Sequence, residues 1–231
     1  MSGGREQILG NLRRSLGRTG EDEEARAAVA ARLDSPARGT IPARARISHV
    51  EQVDLFDSMA REQAATVVHV ASAAEIPAAI TEYLKAGNLP PKLRMAPHPE
   101  LEALPWDSQP LIEVETGAAR GDDQVSVTAA FAGIAETGTL LLTSGPQGPT
   151  TLNFLPETHI VVLKASQVVG AYEDAWDRVR AAYGRDVLPR TVNFITGPSR
   201  TADIEQTIQL GAHGPRRLHI VLIEDGGADG S

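Results

Sequence analysis

Three short segments bring together residue types that could do chemistry. Ala135-Glu136-Thr137-Gly138-Thr139 sets a carboxylate beside two hydroxyls and a glycine, just ahead of the apolar run Leu140–Leu142. A glutamate so placed can serve as nucleophile, base or hydrogen-bond acceptor, and the glycine lets a ligand approach the backbone closely. The same residues also suit a tight connection in which Glu136 faces water or accepts from backbone amides. Thr196-Gly197-Pro198-Ser199-Arg200-Thr201-Ala202-Asp203 follows one apolar run and reads as the opening of a helix over 203–210. Free amides at a helix start, the hydroxyls of Ser199 and Thr201, and the Arg200 guanidinium would form an anion site. Alternatively, Ser199 or Thr201 is only an N-cap and Asp203 a first-turn acid, and Asp203 with Glu205 would repel an anion. Gly211-Ala212-His213-Gly214-Pro215 frames a histidine with glycines, which suits an acid, a base or a ligand, but equally a turn closing a helix.

The candidate catalytic residues are therefore Glu136 and His213. The candidate ligand-binding residues are Thr137, Gly138, Thr139, Gly197, Ser199, Arg200, Thr201 and Asp203. No metal site is expected, since His49, His69, His98, His159 and His219 show no ligand spacing. G-x-G-x-x-G, G-x-S-x-G and the phosphate-cradling Gly–Lys loop are all missing, so neither a dinucleotide fold, a hydrolase elbow nor a Walker loop is supported.

These loops need elements to position them. Val50, Val53, Phe56, Met59 and Ala60 make a helical stripe, followed by a β-branched strand at 66–70 and a helix at 74–85 that Gly87 ends. Strands are expected at 92–96, 111–115, 124–128, 138–143, 159–163, 191–196 and 218–223, with an amphipathic helix at 172–183. Such alternation argues an α/β sheet with helices on both faces, where ligands bind beyond the carboxyl ends of strands. Residues 1–45 read as a separate helical arm and linker: Ile8, Leu9, Leu12 and Leu16 share a face, an acidic run opens an alanine-rich helix, and Ser35–Pro42 has no periodicity. The arm reads as a packing or dimerisation element, leaving open a homo-oligomer, and the α/β domain is expected over 46–231.

Composition narrows the classes. The chain has 231 residues, 30 acidic against 22 basic side chains, and no cysteine. That length can bury one substantial core. Without cysteine there is no disulfide, no thiolate nucleophile and no cysteine-ligated zinc or cluster. The charge of -8 argues against nucleic acid as partner. No apolar run spans a membrane and the start lacks a signal-peptide core, so a cytoplasmic location is expected.

The segments quoted above, with Ile134, Leu152-Asn153-Phe154-Leu155-Pro156, Asn193-Phe194-Ile195 and Ile204-Glu205, resemble the lactate utilization protein C family, also called LUD-domain proteins. Order and spacing fit over roughly residues 120–225, and Arg14-Ser15-Leu16-Gly17-Arg18 is similar to the family's N-terminal helix. The resemblance implies a three-layer α/β/α sandwich similar to the ribose-5-phosphate isomerase and coenzyme A transferase group. It also implies a part in oxidising L-lactate to pyruvate, beside partner subunits that carry iron–sulfur clusters; this chain itself would bind no cofactor. One departure is the stretch Gly145–Thr151, which lacks the basic residue that members often carry there. An anion bound by that residue elsewhere would fall to Arg200 here.

Three roles follow as expectations. The first is a cysteine-free, non-redox accessory or ligand-binding subunit of a lactate oxidation system. The second is a stand-alone enzyme of coenzyme A transferase-like or cyclo-ligase-like type, with Glu136 as nucleophile or base. The third is a sensing module without turnover. The enzyme reading requires Glu136, Arg200 and His213 to line one pocket.

Overall fold

A computed structural model describes residues 3–17, 22–35, 37–184, 187–204, 207–211 and 213–225, and of residues 201–210 only the backbone. The chain divides into two compact units, Met1–Thr40 and Ile41–Ser231. The first holds α1 (Gly3–Ser15) and α2 (Glu23–Asp34), neither of which has a buried residue. Asp22 starts α2 by accepting from the Ala25 N–H at 3.0 Å, satisfying a donor that the helix start leaves free.

The second unit begins its regular structure with α3 (His49–Glu62), whose start is fastened by a reciprocal Ser48–Glu51 capping box. There follow β1 (Thr66–Val70), α4 (Ile76–Ala86), β2 (Lys92–Met95), α5 (Pro99–Glu102), β3 (Glu113–Thr116), β4 (Val125–Ala129), β5 (Ala132–Ile134) and β6 (Thr139–Thr143). The chain continues through β7 (Thr158–Lys164), β8 (Val168–Val169), α6 (Tyr172–Tyr183), β9 (Val192–Ile195), β10 (Arg200–Ile204), β11 (Thr207–Leu210) and β12 (Arg217–Ile223).

Six strands, in the order β1-β12-β7-β4-β2-β3, form one sheet in which every pairing is parallel. Its strands β7 and β12 are mostly apolar on both faces, as a doubly covered parallel sheet favours. On one face Ile76, Ile80 and Leu84 of α4, with Leu101 of α5, pack on Val125, Val127, Ile160, Val162, Val221 and Ile223. On the other, Phe56 and Ala60 of α3 and Leu140 and Leu142 of β6 pack on Val161, Leu163, Ile220 and Leu222. Each such Val, Leu, Ile or Phe side chain contributes roughly 1.5–3 kcal/mol on burial. A smaller sheet, β8-β5-β6-β9, lies on this second face and carries α6 on its outer side through Ala175 and Val179. The sandwich expected from the alternation of elements is therefore present, with a small mixed sheet contributing to one outer layer. No helix among the described residues is long and apolar enough to cross a membrane.

One expected element is different. The helix anticipated over 203–210 is the antiparallel hairpin β10–β11, with Arg200 opposite Leu210 and Ile204 opposite Thr207. Ile204 and Ile208 stand four apart and mimic a helical stripe, but Thr201, Ile204, Thr207 and Ile208 are β-branched and favour the extended chain. The anion site that a helix start would have offered there does not exist.

Candidate functional site

The loop before β6 is occupied with holding the fold. Glu136 is buried, and its Oε1 accepts from the Tyr172 N–H at 2.9 Å, so the carboxylate sits at the amino end of α6. Free N–H groups and the helix dipole both favour a negative charge there. Beside it Thr139 Oγ1 lies 2.7 Å from the Thr137 hydroxyl, 3.0 Å from that of Tyr172 and 2.6 Å from that of Thr196. Gly138 adopts φ +63, and a Cβ at this position would stand 2.2 Å from the Ala60 backbone nitrogen in α3. Glycine is required by conformation and by close approach alike.

Arg200 serves the opposite helix end. Its guanidinium donates to the carbonyl of Gln63, the residue that closes α3, where a cation suits the negative end of the dipole. Gly197, at φ +70, lets the chain pass this same carbonyl, which a Cβ would meet at 2.1 Å.

His213, Ser199 and Gly197 do converge. They line a cavity of about 230 Å³ together with Asn153, Phe154, His159, Thr196 and Gly214. Ser199 is tied to the histidine loop by its own N–H, which donates to the Pro215 carbonyl at 2.8 Å, and by its carbonyl, which accepts from Gly211 at 2.9 Å. A neighbouring hollow shares Phe154, His213 and Gly214 and adds Glu157 and Arg216. The cavity opens at the amino ends of β7 and β12, because Asn153, Phe154 and Pro215 precede these strands. That is the edge opposite to the one expected for ligands in such sheets.

His159 is the residue that spacing did not single out. It is fully buried, its Nε2 lies 2.7 Å from the Thr128 hydroxyl, and its Nδ1 has no partner among the described residues. Burial pushes its pKa down to about 3, so the ring is neutral at ordinary pH. The cavity thus combines a neutral buried imidazole, an exposed one at His213, an amide and hydroxyls, and among the described residues no carboxylate lines it. Such a lining can hydrogen-bond a small polar molecule and hand a proton to or from it at His213.

The expected set therefore separates. Gly197, Ser199 and His213 share the cavity, and Thr139 reaches it only through its bond to Thr196. Glu136 and Arg200 lie at two helix ends outside the lining. The side chains of Thr201 and Asp203 lie outside the described residues. Among the described residues no group of three or more His, Asp or Glu is arranged to hold a metal ion.

Comparison with known proteins agrees with this architecture. Residues 53–223 match the family model described as the LUD domain. The chain is 33% identical over 192 residues to lactate utilization protein C of Deinococcus radiodurans, covering 79% of this chain and 84% of that protein. It is 31% identical over 129 residues to lactate utilization protein C of Bacillus subtilis, covering 52% and 54%. An uncharacterized protein of Neisseria meningitidis serogroup B is 41% identical over 91 residues, 39% of this chain and 38% of that one. The chain thus spans about half the length, or less, of several curated relatives that it matches. The crystal structure of a DUF162 family protein from Deinococcus radiodurans superposes with a TM-score of 0.58 at 26% identity, covering 77% of this chain and 99% of that one.

Proposed function

Since the chain belongs to the LUD-domain family, we propose that it is a ligand-binding, non-redox component of a bacterial system that oxidises L-lactate to pyruvate. The names of its relatives supply the pathway. The observation that carries the binding role is the cavity in which His159, Asn153, Ser199 and His213 meet. Its size suits a small 2-hydroxy or 2-oxo acid. Asn153 and Ser199 would hold the hydroxyl or keto oxygen, and the neutral His159 would accept or donate one hydrogen bond without adding charge. The His213 ring, with the Arg216 guanidinium in the adjoining hollow, would meet the carboxylate. With no cysteine in the chain, a cysteine-ligated cluster that receives the electrons belongs to partner subunits. The chain's work is then to bind, orient and exchange a proton in the cytoplasm.

Deletion of the gene, in a strain with no second copy, should abolish growth on L-lactate, and the wild-type chain should co-purify with iron–sulfur proteins. Restoration by wild type but not by His213→Ala is the expected result. Normal growth of the deletion strain would overturn the proposal. No observation favours the transferase alternative, because the Glu136 carboxylate is engaged at the start of α6.

A further inference from the structure

The carboxyl edge of the six-stranded sheet holds a second and separate crevice. Chain leaving β1 and β2 crosses the face covered by α4 and α5, whereas chain leaving β4 and β7 crosses the face covered by the small sheet and α6. β2 and β4 are neighbours, so the direction of crossing reverses between them. In open α/β sheets the crevice outside such a reversal is where ligands bind. Here it contains a compartment of mixed polar and apolar lining, about 540 Å³, bounded among others by His98, Ala130, Ser144, Gln147 and Tyr183. An apolar compartment of about 240 Å³ adjoins it, lined by Ile76, Leu101, Leu104, Val162, Ile223 and Lys164. The two share Glu100, Ala129 and Gln167.

Two groups at this crevice bear on a ligand. His98 Nδ1 is buried with no partner among the described residues. Lys164 Nζ is paired with Glu100 at 2.6 Å, but Glu100 is 54% exposed on a four-residue helix, against 34% for Lys164. Such a half-exposed pair holds weakly, and Glu100 can turn to water while Lys164 stays beside apolar surface. Asp225, which also acts on Lys164, is held by the N–H and hydroxyl of Ser166. Gln167 is braced at the junction, accepting from the Lys164 N–H and donating to the Ala130 carbonyl.

We propose that this crevice binds an organic carboxylate bearing an apolar arm of a few carbons. The carboxylate replaces Glu100 on Lys164, the arm enters the compartment formed by Leu101, Leu104, Val162 and Ile223, and polar substituents face His98. This site is independent of the amino-edge cavity and survives the failure of the reading given above.

Calorimetric titration of the full chain with hexanoate, acetate and hexylamine tests it. Hexanoate should bind at least about tenfold more tightly than acetate, since added methylenes are buried, and hexylamine should not bind. Lys164→Met should weaken hexanoate at least about tenfold by removing its charge partner. Ala103→Phe, which fills the apolar compartment, should erase the preference for hexanoate over acetate. His213→Ala should leave hexanoate binding unchanged. Unfolding midpoints serve as the fold control, and protection of α5 amides by hexanoate in hydrogen exchange gives a reading on the unmutated chain. Absence of hexanoate binding, equal binding of hexanoate and acetate, retention in both the Lys164 and Ala103 variants, loss in His213→Ala, or no protection of α5 would overturn the proposal.

Discussion

The hydroxyls of Thr139 and Thr196 lie 2.6 Å apart, joining the loop that starts β6 to the strand end that forms one wall of the amino-edge cavity. Thr139 is fully buried and bonds three hydroxyls. Thr139→Val keeps the shape but strands those partners, so it should lower the unfolding free energy by about 1–3 kcal/mol in urea titration. Thr196→Val, at an exposed position, should cost under about 1 kcal/mol because water can replace the lost bond.

Acid should destabilise the fold through two buried histidines. Burial holds His159 at a pKa of about 3, and burial, with Arg61 nearby, holds His219 at about 4. The unfolded chain protonates both near 6.5. Their contribution is therefore fully present above that pH and is lost as pH falls, since only the unfolded state binds the protons. Near pH 5 the pair should add a slope approaching two protons, roughly 3 kcal/mol per pH unit. Unfolding free energy measured against pH should show it, and His159→Gln or His219→Gln should each remove about one proton of slope.

Gly138→Ala should be among the most damaging small substitutions. The position combines φ +63 with a Cβ placed 2.2 Å from the Ala60 nitrogen. The expected cost is about 3 kcal/mol or more. Gly121→Ala, where nothing lies within 4 Å of the added carbon, should be close to neutral. Thermal unfolding of the two variants side by side makes the comparison.

Glu136 should behave as a helix cap. Glu136→Ala removes the acceptor from the Tyr172 N–H and should cost about 1 kcal/mol. Glu136→Gln keeps an acceptor and loses only the charge, so stability should fall by less than about 1 kcal/mol and growth on L-lactate should persist. A folded Glu136→Gln protein that fails to support growth would assign the carboxylate a chemical role instead.

Much of the fold was legible because its signals are local. The β-branched run at 66–70, the amphipathic stripe at 172–183 and the apolar runs at 159–163 and 218–223 each announce their element by period and composition. The segment 203–210 is locally ambiguous because two isoleucines four apart fit a helix as well as a strand, and only pairing of Arg200 with Leu210 resolves it.

Residue types and short-range order along the chain suffice for the α/β alternation, the lack of a cysteine to ligate a cluster and the family. They also place Ser199 and His213 in loops able to meet. What the charged candidates do depends on long-range packing. Glu136 and Arg200 read as catalytic or anion-binding groups along the chain, yet one meets the amino end of α6 and the other the carboxyl end of α3. A charge goes where it is best solvated, and the unsatisfied groups at a helix end solvate it only after distant segments have packed. The same packing brought His159 and His213 into the lining of one cavity, across more than fifty residues of chain, which no local spacing could show.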